Sequence, residues 1–257
     1  MDNYSFLKIF FRILDQLMLQ KTLDLGYATL SFSEYDSSVF WNLALTNQLL
    51  NKQQICQVED GFNKAKRIPA IYFEENDDNS QLKEILLQHN YKKAFEDSWM
   101  FYQNSIVDKQ GFELVKKVKN KKDFEIFLNI FNRCYQKDDP QNPYGELGEY
   151  IGTMRRAWNK NSEDSGIECF VVYENNTPVA VSTLNNCEDV GYISNVGSLR
   201  EVRGKGFGKL ATLYAVSESL NKQHKITCLG TEEGTYPNKF YKRLGFQTKF
   251  TATAFSK

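Results

Sequence analysis

The stretch Arg203-Gly204-Lys205-Gly206-Phe207-Gly208-Lys209 decides how this 257-residue chain is interpreted. Its three glycines alternate with larger residues, a strand-like run precedes it, and a run with helical spacing follows it. Glycine lets the backbone adopt positive φ and come close to a ligand. The first N–H groups of a helix have no partner inside it, and the helix dipole favours an anion there. The stretch therefore predicts a turn that binds phosphate.

The spacing of these glycines excludes two common nucleotide-binding motifs. The Walker loop requires Gly-x-x-x-x-Gly-Lys followed by Ser or Thr, whereas Gly204 and Gly208 are one residue too close and Leu210 follows the lysine. The dinucleotide fingerprint requires Gly-x-Gly-x-x-Gly, whereas this chain has Gly-x-Gly-x-Gly. On the turn alone, an ordinary connection between a strand and a helix remains the alternative.

Composition limits the classes of partner. Lys plus Arg and Asp plus Glu both total 32, whereas a general nucleic-acid binder would carry a basic excess. No apolar run is long enough to span a membrane. Charges interrupt the apolar residues of Met1–Gln20, which predicts an amphipathic helix rather than a signal peptide. Five cysteines without a CxxC pair, together with two histidines, predict reduced thiols, a cytoplasmic protein and no metal site.

The second half alternates strand-like and helix-like segments. Apolar spacing predicts helices over Asp123–Tyr135, Tyr150–Trp158, Phe207–Asn221 and Tyr236–Leu244. β-Rich runs predict strands over Phe112–Val118, Ile167–Tyr173, Val179–Asn185, Val190–Leu199, Lys225–Gly230 and Phe246–Phe255. The prolines of Asp138–Tyr144 predict a loop.

The first half gives a weaker pattern. It predicts helices over Val39–Leu50 and Leu82–His89, and strands over Ala28–Phe32, Ile68–Phe73 and a run ending at Trp99–Tyr102. Both halves end with a helix, an aromatic residue and a β-rich tail, so they are either distant repeats or unrelated. The polar segment Gln103–Gln110 separates them. We therefore predict domains over residues 1–107 and 108–257, the first without a glycine turn.

The residues that flank the turn make the chain similar to the GNAT (GCN5-related N-acetyltransferase) family. The phosphate motif of that family, Gln/Arg-x-x-Gly-x-Gly/Ala, is matched by Arg203, Gly206 and Gly208. Its later signature, an Asn followed by Tyr-x-x-x-Gly-Phe, is matched by Asn238 and by Tyr241–Phe246. The resemblance covers about residues 112–257. It implies an α/β (α+β) GNAT fold with a mixed, mostly antiparallel sheet flanked by helices, and two similar domains in tandem if the halves are repeats.

The resemblance also implies acetyl-CoA, or a close acyl-CoA, as the donor. The pantetheine arm would bond to the backbone of a splayed strand at Val196, Gly197 and Ser198, and to Asn238 of a later helix. The pyrophosphate would lie on the turn, whose residues are Arg203, Gly204, Lys205, Gly206, Phe207, Gly208 and Lys209. Solvated side chains are the alternative interpretation of the basic residues in this turn.

Acetyl transfer to an amine requires a stabilised oxyanion and a proton for the leaving thiolate. A backbone N–H near Val196 or Gly197 would stabilise the oxyanion. Tyr241, at a matched family position, would protonate the thiolate of CoA. The alternative is that Tyr241 only packs against the sheet. Glu232 is the candidate base. Alternatively, Glu232 is only a surface carboxylate, and a water chain takes the proton of the amine. The acidic loop with Asp138, Asp139, Glu146 and Glu149 would suit a cationic amine, or is simply solvated.

Together these features predict a cytoplasmic N-acetyltransferase that moves the acetyl group directly from acetyl-CoA to an amine. Two alternatives remain: an acyl-CoA-binding sensor without catalysis, and a tandem-GNAT transferase that uses aminoacyl-tRNA. The neutral charge balance disfavours the second, and we expect neither a nucleic-acid nor a membrane partner. The sequence leaves open the amine, the role of the first half and the oligomeric state, a homodimer included.

Overall fold

The structure is a computed structural model that describes residues 1–15, 17–142, 145–160 and 166–257, with only the backbone of Asn159 and Lys160. The described helices are α1 (Asn3–Asp15), α2 (Lys52–Lys64), α3 (Ser80–Gln88), α4 (Lys121–Cys134), α5 (Tyr150–Lys160), α6 (Phe207–Asn221) and α7 (Tyr236–Arg243). The strands are β1 (Lys21–Asp24), β2 (Thr29–Phe32), β3 (Asn42–Leu45), β4 (Ala70–Glu74), β5 (Lys92–Tyr102), β6 (Val115–Lys117), β7 (Ile167–Glu174), β8 (Thr177–Cys187), β9 (Val190–Ser198), β10 (Ile226–Thr231) and β11 (Phe246–Ser256). Among the described helices, none combines the length and apolar character needed to cross a membrane.

The chain divides into two compact units. The first comprises Met1–Trp99, Gly152–Lys160 and Thr248–Lys257, and the second comprises Met100–Ile151 and Asn161–Gln247. Most of the last strand therefore packs with the first part of the chain. The domain boundary between residues 107 and 108 stays a prediction.

The first unit is a mixed sheet with helices. Its strands lie in the order β1-β2-β3-β4-β11-β5. The pairs β1/β2, β2/β3 and β4/β11 are antiparallel, whereas β3 and β4 are parallel. Helix α2 connects the two parallel strands and buries Ile55, Val58 and Phe62, which lie on one helical face. Trp99 stacks on Phe250 of β11, with 6.2 Å between ring centroids.

The second unit repeats this arrangement. Its strands lie in the order β10-β9-β8-β7-β6, with antiparallel pairing from β6 to β9 and parallel pairing of β9 with β10. Helices cover both faces. Ser182 donates a buried hydrogen bond of 2.8 Å to the Ala211 carbonyl of α6. The side chain of the preceding residue, Val181, points to the opposite face. Val181 pairs with Gly197, which approaches Cys134 of α4 on that face.

The order of elements confirms the tandem repeat. The series first occurs as β1-β2-β3-α2-β4-α3-β5. It consists of three antiparallel strands, a helix, a parallel strand, a second helix and a final strand. The same series recurs as β7-β8-β9-α6-β10-α7-β11. The mixed, largely antiparallel fold predicted for the second half is therefore present, and the first half has it too.

The helices and strands predicted for the second half are confirmed to within a few residues, with α6 matching at both ends. Residues 143 and 144 of the predicted loop Asp138–Tyr144 lie outside the described residues. The exception is Phe112–Val118, where a short 3-10 helix at Phe112–Leu114 precedes β6. The amphipathic helix predicted in the first 20 residues is also confirmed, as α1.

The helix predicted over Val39–Leu50 is wrong. A 3-10 helix covers Val39–Trp41, and the buried strand β3 follows it. The side chain of Asn42 is fully buried and bonds to the backbone of Ser33, Asp36 and Ser38. These bonds between different segments override the local apolar spacing.

Two elements of the first unit are absent from the sequence prediction. Strand β1 is short and fully exposed, so it carries no apolar alternation. Helix α2 is rich in polar residues, but it has a recognisable start: Asn51 and Gln54 form a reciprocal capping box. That spacing is the signal that would have identified the helix.

Gly191→Ala should destabilise the second unit. A Cβ at this position would lie 2.1 Å from Ser219 Oγ and 2.7 Å from His224 Nδ1. That serine hydroxyl already bonds to Thr227 at 2.7 Å, so it has little freedom to move. We expect a loss of about 1–3 kcal/mol in the free energy of unfolding, measured with denaturant.

The matched control is Gly208→Ala, because a Cβ there makes contacts of 3.7 Å or more. This second variant should unfold at the wild-type denaturant concentration or slightly above it. Equal stability of Gly191→Ala and the wild type would show that the packing of α6 on β9 is looser than described.

Candidate active site

Strands β9 and β10 diverge within the second unit. Their parallel pairing joins Val190–Tyr192 to Ile226–Cys228. Both strands continue beyond this segment, to Ser198 and Thr231. After Tyr192, the backbone groups of β9 that point away from β8 therefore lie beyond the pairing with β10, along a gap between the two strands. This gap is the splayed edge that the sequence resemblance implies.

A β-bulge lies in β9 at the gap. Ser194 pairs with Thr183 and Gly197 pairs with Val181, so two residues of β9 oppose one residue of β8. The first of the two, Asn195, has φ of +52°. Asparagine tolerates this left-handed conformation better than most residues, so the sequence suits the bulge.

The predicted pantetheine residues lie on this edge. Leu199 donates to the Val179 carbonyl at 2.9 Å, and antiparallel pairs alternate between bonded and non-bonded. The backbone groups of Ser198 therefore point away from β8, into the gap. The Val196 carbonyl accepts a hydrogen bond of 3.2 Å from the Tyr135 hydroxyl. Gly197 is required by close packing, since a Cβ there would lie 2.6 Å from Cys134 Cβ.

The glycine turn leaves the start of α6 open. Gly204 and Gly206 have φ of +83° and +87°, and a Cβ on either would meet no atom within 4 Å. The first bond inside the helix runs from the Leu210 N–H to the Gly206 carbonyl. The N–H groups of Phe207, Gly208 and Lys209 precede it and so have no acceptor within the helix.

The corresponding helix of the first unit, α2, is capped by its own side chains. At the start of α2, the Asn51 side chain accepts from the Gln54 N–H at 3.0 Å. In return, the Gln54 side chain accepts from the Asn51 N–H at 2.9 Å. At the start of α6 the capping residue is Gly206, which has no side chain. The capping box therefore uses two donors at the start of α2, whereas no side chain of the capping residue competes with an anion at the start of α6.

The basic residues of the turn already have acidic partners. Arg203 binds both carboxylate oxygens of Asp139, with 2.6 Å between Nη1 and Oδ1. These bonds lower the pKa of Asp139 and raise the pKa of Arg203. Lys205 pairs with Glu174 at 3.0 Å. Lys209 is exposed at the helix start.

Three predicted segments meet at Gly208. A methyl group added there would lie 3.7 Å from Ser198 Oγ of β9 and 3.8 Å from Phe240 Cζ of α7. Tyr241, next to Phe240, is 8% exposed and packs edge-on against Phe240 and Phe246, with centroids 5.1 and 5.8 Å apart. The open helix start, the splayed strand and the predicted acid thus belong to neighbouring elements.

Asn238 is fully buried at the start of α7. Its amide nitrogen donates to Thr231 Oγ1 at 3.1 Å and to Glu233 Oε2 at 3.2 Å. Its amide oxygen has no hydrogen-bond partner in the described part of the chain. A buried acceptor without a partner is costly, so this oxygen suits a donor from a ligand.

Glu232, the candidate base, is exposed in the turn between β10 and α7. Its main-chain carbonyl accepts from the Thr235 hydroxyl at 2.6 Å. Cys134 lies beside the bulge, where burial raises the pKa of its thiol to about 12, so it is protonated at neutral pH. The described residues contain no group of three or more His, Cys, Asp or Glu side chains that could hold a metal.

Three side chains near the bulge are missing from the predicted site: Tyr135, Tyr150 and Asn195. The Tyr150 hydroxyl donates to Asn195 Oδ1 at 3.0 Å. Both tyrosines flank the acidic loop in the sequence. No local motif marks them, because their partners lie 45 or more positions away.

Asp139→Asn should destabilise the second unit by roughly 2–3 kcal/mol, because it leaves the Arg203 guanidinium, 20% exposed, without its carboxylate. The ion pair depresses the folded-state pKa of Asp139. Its contribution is therefore present above about pH 4 and is lost as pH falls through the folded-state value. Denaturant unfolding should show the gap between wild type and variant narrowing from about pH 5 toward pH 2. A gap that stays constant over that range would contradict this role.

Comparisons with known proteins agree with the fold described above. Residues 124–246 match the family model described as the acetyltransferase (GNAT) family. A GCN5-related N-acetyltransferase from Kribbella flavida superimposes with a TM-score of 0.70 at 16% identity, over 99% of this chain and 95% of its own. A functionally unknown conserved protein from Staphylococcus epidermidis gives 0.62 at 12% identity, over 92% and 93%.

A tandem GNAT protein from the clavulanic acid biosynthesis pathway gives a TM-score of 0.55 at 11% identity, over 90% of this chain and 78% of its own. A sequence comparison with curated proteins gives no significant match. At these identities the structural likeness establishes the fold of the chain, and the family match establishes the relationship of its second half. The chain therefore contains a domain of the acetyltransferase (GNAT) family over residues 124–246.

Proposed function

We propose that the chain is an N-acetyltransferase that moves an acetyl group from acetyl-CoA directly to an amine. The catalytic domain would be residues 108–257, with residues 1–107 as an accessory domain of the same fold. The observation that carries the proposal is the open start of α6 beside the unpaired edge of β9. One feature offers donors to a pyrophosphate, and the other offers a strand edge to an extended amide-containing arm.

The residues present fit such a donor. Its pyrophosphate would lie on the N–H groups of Gly204 and of Gly206 to Lys209, where the space around both turn glycines is open. The Lys205 N–H already donates to the Val202 carbonyl at 3.3 Å. Because Arg203 and Lys205 are already paired with carboxylates, the N–H groups and Lys209 would supply most of the attraction. The arm would pair with Val196–Ser198.

Acetyl-CoA supplies an activated thioester; the chain supplies positioning and proton transfer. A backbone N–H at the bulge, that of Val196, would stabilise negative charge on the acetyl oxygen, because the Gly197 N–H is directed at β8. Tyr241 would donate a proton to the departing sulfur. Glu232 would accept the proton of the amine, and its exposed position at the end of β10 leaves it open to solvent.

The accessory role of the first domain rests on the contrast between the helix starts. In α2 the capping box of Asn51 and Gln54 already uses two of the donors at the helix start. The first domain is therefore proposed to have the fold without the donor site. We propose that it shapes the acceptor cleft or an interface.

Gly206→Asp should weaken acetyl-CoA binding at least tenfold, measured by calorimetry, because it places a carboxylate where the pyrophosphate would lie. The control is Gly26→Asp, which has the same change of charge at a glycine of similar φ, +81°, also in open space. The two variants share the backbone strain, so only the difference between them reports on the site. Equal affinities in the two variants would place the phosphate elsewhere.

Tyr241→Phe should lower kcat by about 10²-fold while acetyl-CoA affinity changes less than threefold, because only proton donation is lost. The measurement is steady-state kinetics over a panel of amines, with calorimetry on the same preparations. An unchanged kcat would remove Tyr241 from catalysis. Tight binding of acetyl-CoA by a wild type that acylates no amine would instead favour an acyl-CoA sensor.

A further inference from the structure

We propose that Tyr135 and Tyr150 are positioning residues, whose hydroxyls fix the two residues of the β9 bulge for acetyl transfer. This inference rests on the proposed function of the site. The two tyrosines bracket the connection from α4 to α5, and each bonds to a different bulge residue. We name them the tyrosine clamp.

One half of the clamp acts through a side chain. The Tyr150 hydroxyl donates to Asn195 Oδ1 at 3.0 Å, and Asn195 Nδ2 donates to Thr183 Oγ1 at 3.3 Å. Asn195 is thus held from both sides, by a helix and by the neighbouring strand. Its left-handed backbone is an uncommon conformation for a residue with a side chain. The two bonds keep it in the one arrangement that forms the bulge.

The other half acts on the main chain. The Tyr135 hydroxyl donates to the Val196 carbonyl at 3.2 Å. The ring of Tyr135 also lies over the next residue, since a Cβ on Gly197 would be 3.6 Å from its Cε2. The carbonyl and the following N–H belong to one rigid peptide plane. The Val181–Gly197 pair alternates in step with the bonded Val179–Leu199 pair, so the Gly197 N–H is directed at β8. Tyr135 and β8 therefore hold this peptide plane from opposite sides, which fixes the position of Val196 in the bulge.

A single buried ring supports both tyrosines. Phe131 of α4, 1% exposed, packs edge-on against Tyr135 and Tyr150, with centroids 5.0 and 5.9 Å apart. Burial raises the pKa of Tyr150 to about 12, so its hydroxyl keeps its proton and remains a donor at neutral pH. The clamp is thus a packed unit with defined ring orientations.

Such a clamp would matter for rate more than for affinity. A donor that stabilises developing charge must lie within a few tenths of an ångström of its position in the transition state. Pantetheine pairing and phosphate binding extend over many atoms, so a small shift of the bulge changes them little. Loss of either hydroxyl should therefore lower kcat and leave acetyl-CoA binding nearly intact.

The test uses Tyr135→Phe, Tyr150→Phe, Asn195→Gly and the double variant Tyr150→Phe/Asn195→Gly in the full chain. Glycine at 195 retains the left-handed backbone while removing the side chain. Each single variant should lose about tenfold or more in kcat, with acetyl-CoA affinity within threefold of wild type. The double variant should be no slower than Asn195→Gly, because both changes remove the same bond.

Tyr214→Phe is the matched control. Tyr214 lies on α6 in the same unit and packs against Phe112 and Phe170, each with centroids 5.1 Å apart. Its hydroxyl has no place in the clamp, so this variant should keep the wild-type kcat. Losses of kcat that are equal in Tyr214→Phe and the clamp variants would overturn the proposal. If the loss of kcat in the double variant equalled the product of the two single losses, Tyr150 and Asn195 would not act through one shared bond.

An experiment can show that the proposed function is wrong without deciding whether the clamp exists. If the wild type transfers acetyl to no amine, the proposed function fails, and hydrogen exchange of the amides of Ser194–Ser198 then tests the clamp. Exchange there should accelerate about tenfold or more in the Tyr135→Phe and Tyr150→Phe variants but not in Tyr214→Phe. Unchanged exchange in the clamp variants would overturn the inference.

Discussion

The limited pairing of β9 with β10 is the constraint on which the site depends. A parallel pair that continued to Thr231 would use the edge groups of β9 for the sheet. Because the pairing stops at Tyr192 and the bulge follows at Asn195, the backbone near Ser198 faces open space instead. The turn and α6 then begin immediately beyond this edge, which brings the helix donors beside it. One interruption in a sheet thus creates both proposed parts of a donor site.

The two units show how a repeated fold can carry different chemistry. They share the same order of strands and helices, including a helix between two parallel strands. They differ in the residue that precedes that helix. The Asn51 side chain accepts from the Gln54 N–H at the start of α2, whereas Gly206 has no side chain that could accept from the first N–H groups of α6. A cap stabilises a helix and an open start binds an anion, so one position separates a stable scaffold from a proposed binding site.

Several features of the second unit could be predicted from local sequence patterns alone. The glycine turn, the bounds of α6 and the hairpin before β9 follow from spacing and turn chemistry that need no distant partner. What could not be predicted depends on contacts far apart in the sequence. The partner of Arg203 lies 64 positions away, at Asp139, and the bulge at Asn195 is fixed by Tyr150. The strand β3 was missed for a different reason: buried Asn42 bonds to backbone groups four to nine positions before it, which the apolar spacing does not show.

The central claim is that the chain has one donor site, at the start of α6, although the fold occurs twice. The most direct measurement is the stoichiometry of acetyl-CoA binding to the full chain by isothermal titration calorimetry. One molecule should bind per chain, and added salt should weaken its binding because the ligand carries phosphate charge. Two molecules per chain, or no saturable binding by folded protein, would contradict it.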